Sequence, residues 1–172
     1  DPEGYLARAE ILMILGKNTA ALSDYTRYIS IPPSKITDYI SISEVKLLLG
    51  DTLGALEDIN ACLKGIPDYV KAYKYRATIY SMLGQHQSAI EDYNIYLLEY
   101  SNDFSGFVGR GDAYAANKIF DIAVENFDQA IALQPSISEL RMDRGYFYLQ
   151  LKNYNAALVD FEQAIVLGYP DL

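Results

Sequence analysis

The sequence has one cysteine, one histidine and only 14 basic residues against 23 acidic ones in a chain of 172. Cys62 alone closes no internal disulfide and supplies no multi-cysteine zinc site, so it reads as a small buried residue. The formal net charge of −9 repels phosphate backbones and anionic lipid headgroups, which disfavours nucleic acid and membrane surfaces as partners. No apolar run approaches the roughly eighteen residues that a membrane span needs. The N-terminus, DPEGYLARAE, lacks the basic and apolar regions of a signal peptide. A start at Asp1 rather than methionine reads as an excerpted or trimmed chain, so the absence of a leader says little; the compartment stays open, with the cytoplasm as the expectation. There is no GxxxxGK[ST] loop, no dinucleotide fingerprint and no HExxH. A nucleophilic triad needs a histidine base or a substitute for one. The expectation is a non-catalytic protein without cofactor or metal. With 51% hydrophobic and 22% charged residues, the composition is that of one folded unit rather than a disordered segment.

What the sequence has instead is a repeat. Aligned with itself, the chain shows a period of 34 residues without insertion, and five copies fill residues 2–35, 36–69, 70–103, 104–137 and 138–171. Counting residue 2 as slot one, slot twenty holds Ala21, Ala55, Ala89, Ala123 and Ala157, and slot eight holds Ala9, Ser43, Ala77, Gly111 and Gly145. Slot twenty-four is large throughout: Tyr25, Ile59, Tyr93, Phe127 and Phe161. Slot four carries Tyr5, Tyr39, Tyr73 and Phe107, then departs to Arg141. Small slots facing large ones are what interlocking helices require. Apolar residues return at three- and four-residue spacing on both sides of a turn, so each copy predicts two amphipathic helices. Gly16, Gly50 and Gly84 mark that turn, and Asn117-Lys118 and Lys152-Asn153 replace the glycine later, where asparagine is expected to take the left-handed conformation. Pro33, Pro67 and Pro135 close the second helix of three copies, with Ser101 and Tyr169-Pro170 in the others.

This pattern resembles the tetratricopeptide repeat family in period and in slot identity, over essentially the whole chain. The resemblance implies an all-α, right-handed superhelical solenoid of five helix–turn–helix units in a single domain, with about ten helices and a concave groove lined by the first helix of each unit. Stacking has a physical motive of its own, since one helix pair cannot bury its apolar face alone. Departures are expected to matter. Tyr28 and Tyr96 stand at slot twenty-seven, where Ala130 and Ala164 sit later, and Arg141 at an aromatic slot should anchor the fifth unit less firmly on the fourth. The family often adds a polar capping helix, and the sequence ends at Leu172, so an apolar end is expected to be bare.

The stretch GQHQSAIEDY, Gly84 to Tyr93, holds the only histidine with Glu91 and Asp92 nearby. At its slot the other copies place Asn18, Thr52, Phe120 and Tyr154, and His86 and Glu91 lie about 140° apart around a helix. A structural histidine is the expectation. Slot seven carries Arg8, Arg76, Arg110 and Arg144, with Ile42 the exception, and slot twenty-three carries Asp24, Asp58, Asp92, Asn126 and Asp160. These recurrences predict ion pairs between the two helices of a unit: Arg8 with Asp24, Arg76 with Asp92, Arg144 with Asp160. The competing reading is an arginine ladder that grips an acidic ligand.

The groove that the resemblance implies is lined by Leu6 and Glu10, Ile40 and Glu44, Lys71 and Lys74, Val108 and Asp112, and Met142 and Tyr146. Together with Glu3 and Glu139 it carries five acids against the two lysines. The carboxylate clamp with which some members hold acidic chaperone tails would fall on Leu6, Glu10, Ser41, Lys71 and Tyr75, of which Lys71 alone matches. The expected function is therefore a protein-interaction scaffold or adaptor that binds an extended, basic or amphipathic peptide or partner segment. Two alternatives stand beside it: self-association by stacking of uncapped ends, and a segment of a longer repeat protein whose activity lies elsewhere. Many of the 16 tyrosines fall at packing slots; Tyr146 is the one expected to touch a ligand.

Overall fold

The computed structural model describes residues 2–33, 35 and 38–169. Among these residues there are ten helices and no strand: α1 (Pro2–Ile14), α2 (Asn18–Ile29), α3 (Asp38–Leu48), α4 (Thr52–Gly65), α5 (Val70–Met82), α6 (His86–Glu99), α7 (Phe104–Ala116), α8 (Phe120–Leu133), α9 (Ser138–Gln150) and α10 (Tyr154–Val166). Each repeat thus contributes one helix on either side of its turn. Side-chain caps start several of them: Asp51 accepts from the Gly54 amide, Asp103 from Ser105 and Asn153 from Ala156, each satisfying a donor that the first turn leaves unpaired.

The turn between the two helices of a unit is set by one left-handed residue at slot fifteen. Gly16, Gly50 and Gly84 take φ of 69°, 82° and 72°, and in the last two units Lys118 and Lys152 take 61° and 59°. This corrects the expectation that asparagine fills that role: the repeat keeps its register, and lysine accepts a conformation that costs an L-residue about 1–2 kcal/mol. After the second helices, Pro33, Pro67 and Pro135 lie beyond the last helical residue, as their missing N–H demands. Pro170 lies outside the described residues.

The chain divides into two compact units, Asp1–Tyr75 and Arg76–Leu172, with the division inside α5. The first is built on a cluster of Ala9, Ala21, Tyr25, Tyr28, Ile42 and Val45, against which Tyr5, Leu6 and Leu12 pack. Bulky Tyr28 is therefore absorbed by Ile42 and Val45, while α3 lies only loosely on α2. The second unit has one cluster around Ala77, Ala89, Ile90, Tyr93 and Ala113, and another around Phe127, Ala130, Ile131 and Leu140. Room for Tyr96 comes from the next helix: a Cβ on Gly106 would lie 3.0 Å from the Tyr96 ring and 2.9 Å from Leu97. The ring also stacks on Tyr100 at 4.8 Å and donates to Asp103 at 2.7 Å. At slot eight, a Cβ on Gly145 would come within 2.5 Å of the Phe161 ring, so small and large slots interlock as the repeat predicts. Arg141 donates from Nη1 to the Pro135 carbonyl at 2.6 Å and from Nε to Gln163 at 3.0 Å, which ties α9 to the turn before it and to α10.

Candidate functional site

Two arrays of charge run through the repeat, and geometry separates them. The first holds the helix pairs together. Arg8 donates from Nε and Nη2 to the two oxygens of Asp24, both at 2.6 Å. Arg76 does the same to Asp92 at 2.6 and 2.9 Å, and Arg144 to Asp160 at 2.8 and 2.5 Å. All three predicted pairs form, and the aspartates are buried, so these guanidinium groups face carboxylates inside the protein rather than a ligand. The Arg8 hydrogen bond holds the Asp24 carboxyl below the usual range. In the fourth unit Asn126 replaces the carboxylate and accepts from Arg110 Nε at 2.7 Å.

Three further contacts of this array lie outside the predicted pairs. Where Ile42 displaces the arginine, Lys46, one turn further along α3, reaches Asp58 at 2.7 Å. Burial outweighs that lysine and pushes the Asp58 carboxyl up, the mark of a poorer substitute. In addition, the Nη1 of Arg110 reaches back to Asn94 at 2.8 Å and that of Arg144 to Asp128 at 2.5 Å. A slot-seven arginine is sixteen residues from slot twenty-three of its own unit and sixteen from slot twenty-five of the preceding one. That recurrence of polar residues at slot twenty-five was the signal available in the sequence.

The second array is acidic and lies on the first helices. In the first unit of the fold, Leu6, Glu10 and Glu44 line one cleft of about 460 Å³, together with Tyr25, Ser41, Val45, Leu47 and Leu48. Its walls are apolar and its rim carries two exposed carboxylates. Tyr75, hydrogen-bonded to Glu44, has its hydroxyl pushed up by burial and by that negative charge. Ile40 is buried rather than presented to a ligand. Lys71 is exposed and Lys74 half-buried. A second apolar cleft, about 330 Å³, opens beside Tyr25 between Met13, Leu22, Leu48 and Leu49, where α3 leaves α2 incompletely covered.

In the other unit, Asp112, Asp143 and Glu139 stand near one another. Solvent reaches Asp112, yet the surrounding protein desolvates its carboxyl, and with the charge of Asp143 this pushes it up to about 6. Asp143 is raised by burial and by Glu139. Tyr93, buried and within reach of the Asp112 charge, shares a hydrogen bond of 3.2 Å with Thr78, and its hydroxyl is raised chiefly by burial. Tyr146 is exposed with its ring edge-on to Phe161 at 5.3 Å. Val108 is half-buried against the Phe127 cluster and Met142 is buried.

His86 opens α6, and Glu91 is exposed and accepts from Gln87 on the same helix at 3.3 Å. Among the described residues no group of histidine, cysteine, aspartate or glutamate is placed to hold a metal ion, and no helix is long and apolar enough to cross a membrane.

Comparison with the curated proteins returned no match. The tetratricopeptide repeat family model matches residues 108–171. Among solved structures, MamA from Desulfovibrio magneticus RS-1 is similar over 96% of this chain and 94% of its own, with 16% identity and a TM-score of 0.81. TTC0263, a thermophilic tetratricopeptide repeat protein of Thermus thermophilus, is similar over 99% of this chain and 93% of its own, with 21% identity and a TM-score of 0.75. At such identities the likeness is one of fold, and it extends over all five copies of the period. The family model on the last copies, the slot pattern of the whole chain and this shared fold agree: the protein has the all-α solenoid fold of tetratricopeptide repeat proteins.

Proposed function

We propose that the protein is a non-catalytic interaction scaffold whose first helices bind a partner segment rich in basic residues and carrying an apolar anchor. The observation that carries this reading is the cleft in which Glu10 and Glu44 flank Leu6, Leu47 and Leu48. An aliphatic or aromatic side chain fills the apolar walls, and a lysine or arginine beside it meets the rim carboxylates. The apolar anchor supplies affinity, while the acids set orientation and encounter rate. The acidic group of Asp112, Asp143 and Glu139 favours the same ligand chemistry, because burial and then the charge of Asp143 raise Asp112, and a bound cation offsets both. An acidic chaperone tail fits poorly, since Glu10 stands at one of the clamp positions and Glu44 lines the same cleft, where both carboxylates repel such a tail.

The test is fluorescence anisotropy with a panel of labelled peptides that pair one leucine or phenylalanine with flanking lysines, alongside the same peptides with glutamates for lysines. The wild type is expected to bind the basic set, and a Glu10→Lys/Glu44→Lys variant of unchanged helicity to lose that binding. Equal binding of both peptide sets, or binding indifferent to the double substitution, would refute the assignment.

A further inference from the structure

Tyrosine at slot twenty-seven has different consequences in the two places where it stands. Opposite Tyr96 the next first helix carries Gly106, which leaves room for the ring, and α7 closes on α6 until Ile90 at slot twenty-one is 3% exposed. Opposite Tyr28 the equivalent of Gly106 is Asp38, and the two line one recess with Ile42. No glycine admits the ring there. Helix α3 stands off α2, and Leu22, the equivalent of Ile90, is left 51% exposed.

The cleft of about 330 Å³ beside Leu22 is the space that this opening leaves. Where α8 meets α9, rings fill the corresponding slots: Phe120 at slot seventeen lies 6.4 Å from Phe147 at slot ten of the next unit, and Phe147 meets Phe127 at slot twenty-four edge-on at 5.0 Å. Between α2 and α3 the same three slots hold Asn18, Val45 and Tyr25, so one ring of the three remains. Asn18 and Tyr25 line the cleft, and Met13, Leu22, Leu48 and Leu49 supply its apolar walls. Tyr25 and Leu48 are also walls of the cleft that carries Glu10 and Glu44. The two clefts therefore adjoin, with space for a ring on one side of Tyr25 and two carboxylates on the other, both between the first unit of the repeat and the second.

We propose that the cleft between α2 and α3 is the anchor site for an aromatic side chain, phenylalanine or tryptophan, of a partner segment that carries a lysine or arginine close to that ring. The bound ring supplies what Phe120 and Phe147 supply between α8 and α9: it covers Leu22 and Leu48 and meets the Tyr25 ring. The neighbouring cation lies across Tyr25 and Leu48, at Glu10 and Glu44, where opposite charge fixes which way the segment runs. For the cation this inference rests on the basic-segment reading given above; the ring site stands on the packing of the repeat alone.

Two probes test it: lysine-flanked peptides with phenylalanine, leucine or alanine at the anchor position, followed by fluorescence anisotropy, and free indole, followed by the methyl NMR signals of Leu22 and Leu48. The decisive variant is Asn18→Phe, which puts back the slot-seventeen ring and fills the cleft from within. Asn18 is exposed, and circular dichroism verifies the fold; Leu22→Asp replaces the variant should it lose helicity. The phenylalanine peptide is expected to bind the wild type about tenfold more tightly than the alanine peptide and about threefold more tightly than the leucine peptide. Asn18→Phe is expected to lose about tenfold for the phenylalanine peptide and to leave the alanine peptide unchanged. Indole shifts both leucines in the wild type and in Glu10→Lys/Glu44→Lys, and neither in Asn18→Phe. Equal affinity for the three peptides, binding indifferent to Asn18→Phe, or indole that leaves Leu22 and Leu48 unmoved would each overturn the ring site. Indole shifts abolished by Asn18→Phe, with no lysine-flanked peptide bound, would uphold the ring site and refute the basic segment.

Discussion

Replacing Arg144 by methionine isolates the contribution of the structural arginine array. The substitution keeps an apolar stem of similar length and removes the guanidinium head, which lies over the Tyr148 ring and donates three hydrogen bonds, two to Asp160 and one to Asp128. The two acceptors are affected unequally. The Asp128 side chain is 46% exposed, and water takes over its lost bond at a cost below about 1 kcal/mol. The Asp160 side chain is 2% exposed and is left as a buried carboxylate without its cation, a change that typically costs about 3–5 kcal/mol. The expected loss is about 3–4 kcal/mol, which lowers Tm by roughly 6–16 °C for a chain of this size. Urea and thermal unfolding followed by far-ultraviolet circular dichroism measure it. The double variant Arg144→Met/Asp160→Leu supplies the control: with no charge left unpaired, it is expected to return to within about 1 kcal/mol of the wild type. A single variant that loses less than about 1 kcal/mol, or a double variant no better than the single, would refute the reasoning, and a single variant of normal stability that fails to bind an acidic ligand would reinstate the arginine ladder.

Asn126→Asp gives Arg110 the carboxylate that Arg8, Arg76 and Arg144 possess, and is expected to raise stability by about 1 kcal/mol, read from the urea midpoint. Lys118→Gly and Lys152→Gly relieve the left-handed strain at φ near 60°, each gaining about 0.5–1 kcal/mol net of the added chain entropy; a loss of stability would show that the lysine side chains hold the turn. The Asp112 carboxyl sits at about 6 when folded, above its ordinary value near 4. Its stabilising contribution is therefore complete below pH 4 and lost as pH rises through 6, so Asp112→Asn is expected to raise Tm at pH 7 and leave it unchanged at pH 4. Equal effects at both pH values would place the origin elsewhere.

The period made most of this fold legible. A slot that admits only alanine, serine or glycine five times over, facing one that holds a ring or isoleucine, leaves few packings open, and the arginine and aspartate recurrences carried the ion pairs with them. Reading failed where a slot is decided by its neighbours. Slot five is half-buried at Leu6, Lys74 and Val108 but buried at Ile40 and Met142, and no residue identity at that slot announces the difference. The Lys46–Asp58 pair was hidden because Ile42 broke the recurrence and the replacement cation came from one turn away. Local preference favours asparagine as the left-handed residue, but register places Lys118 and Lys152 there.

The acids of this chain thus form two populations, and net charge alone describes neither. Those at slot twenty-three lie inside helix pairs and are neutralised there, so they add nothing to the field that a ligand meets. Glu10, Glu44, Asp112, Asp143 and Glu139 are reached by solvent, and Asp112 is raised by burial and by the charge of another carboxylate, Asp143. Carboxylates packed against one another reduce stability at neutral pH, and a bound cation returns that loss as binding energy. Charge reversal in the first population should therefore appear in melting temperature, and in the second as altered selectivity between basic and acidic peptides. A substitution such as Glu44→Lys that shifted both equally would mean that the two populations are one network.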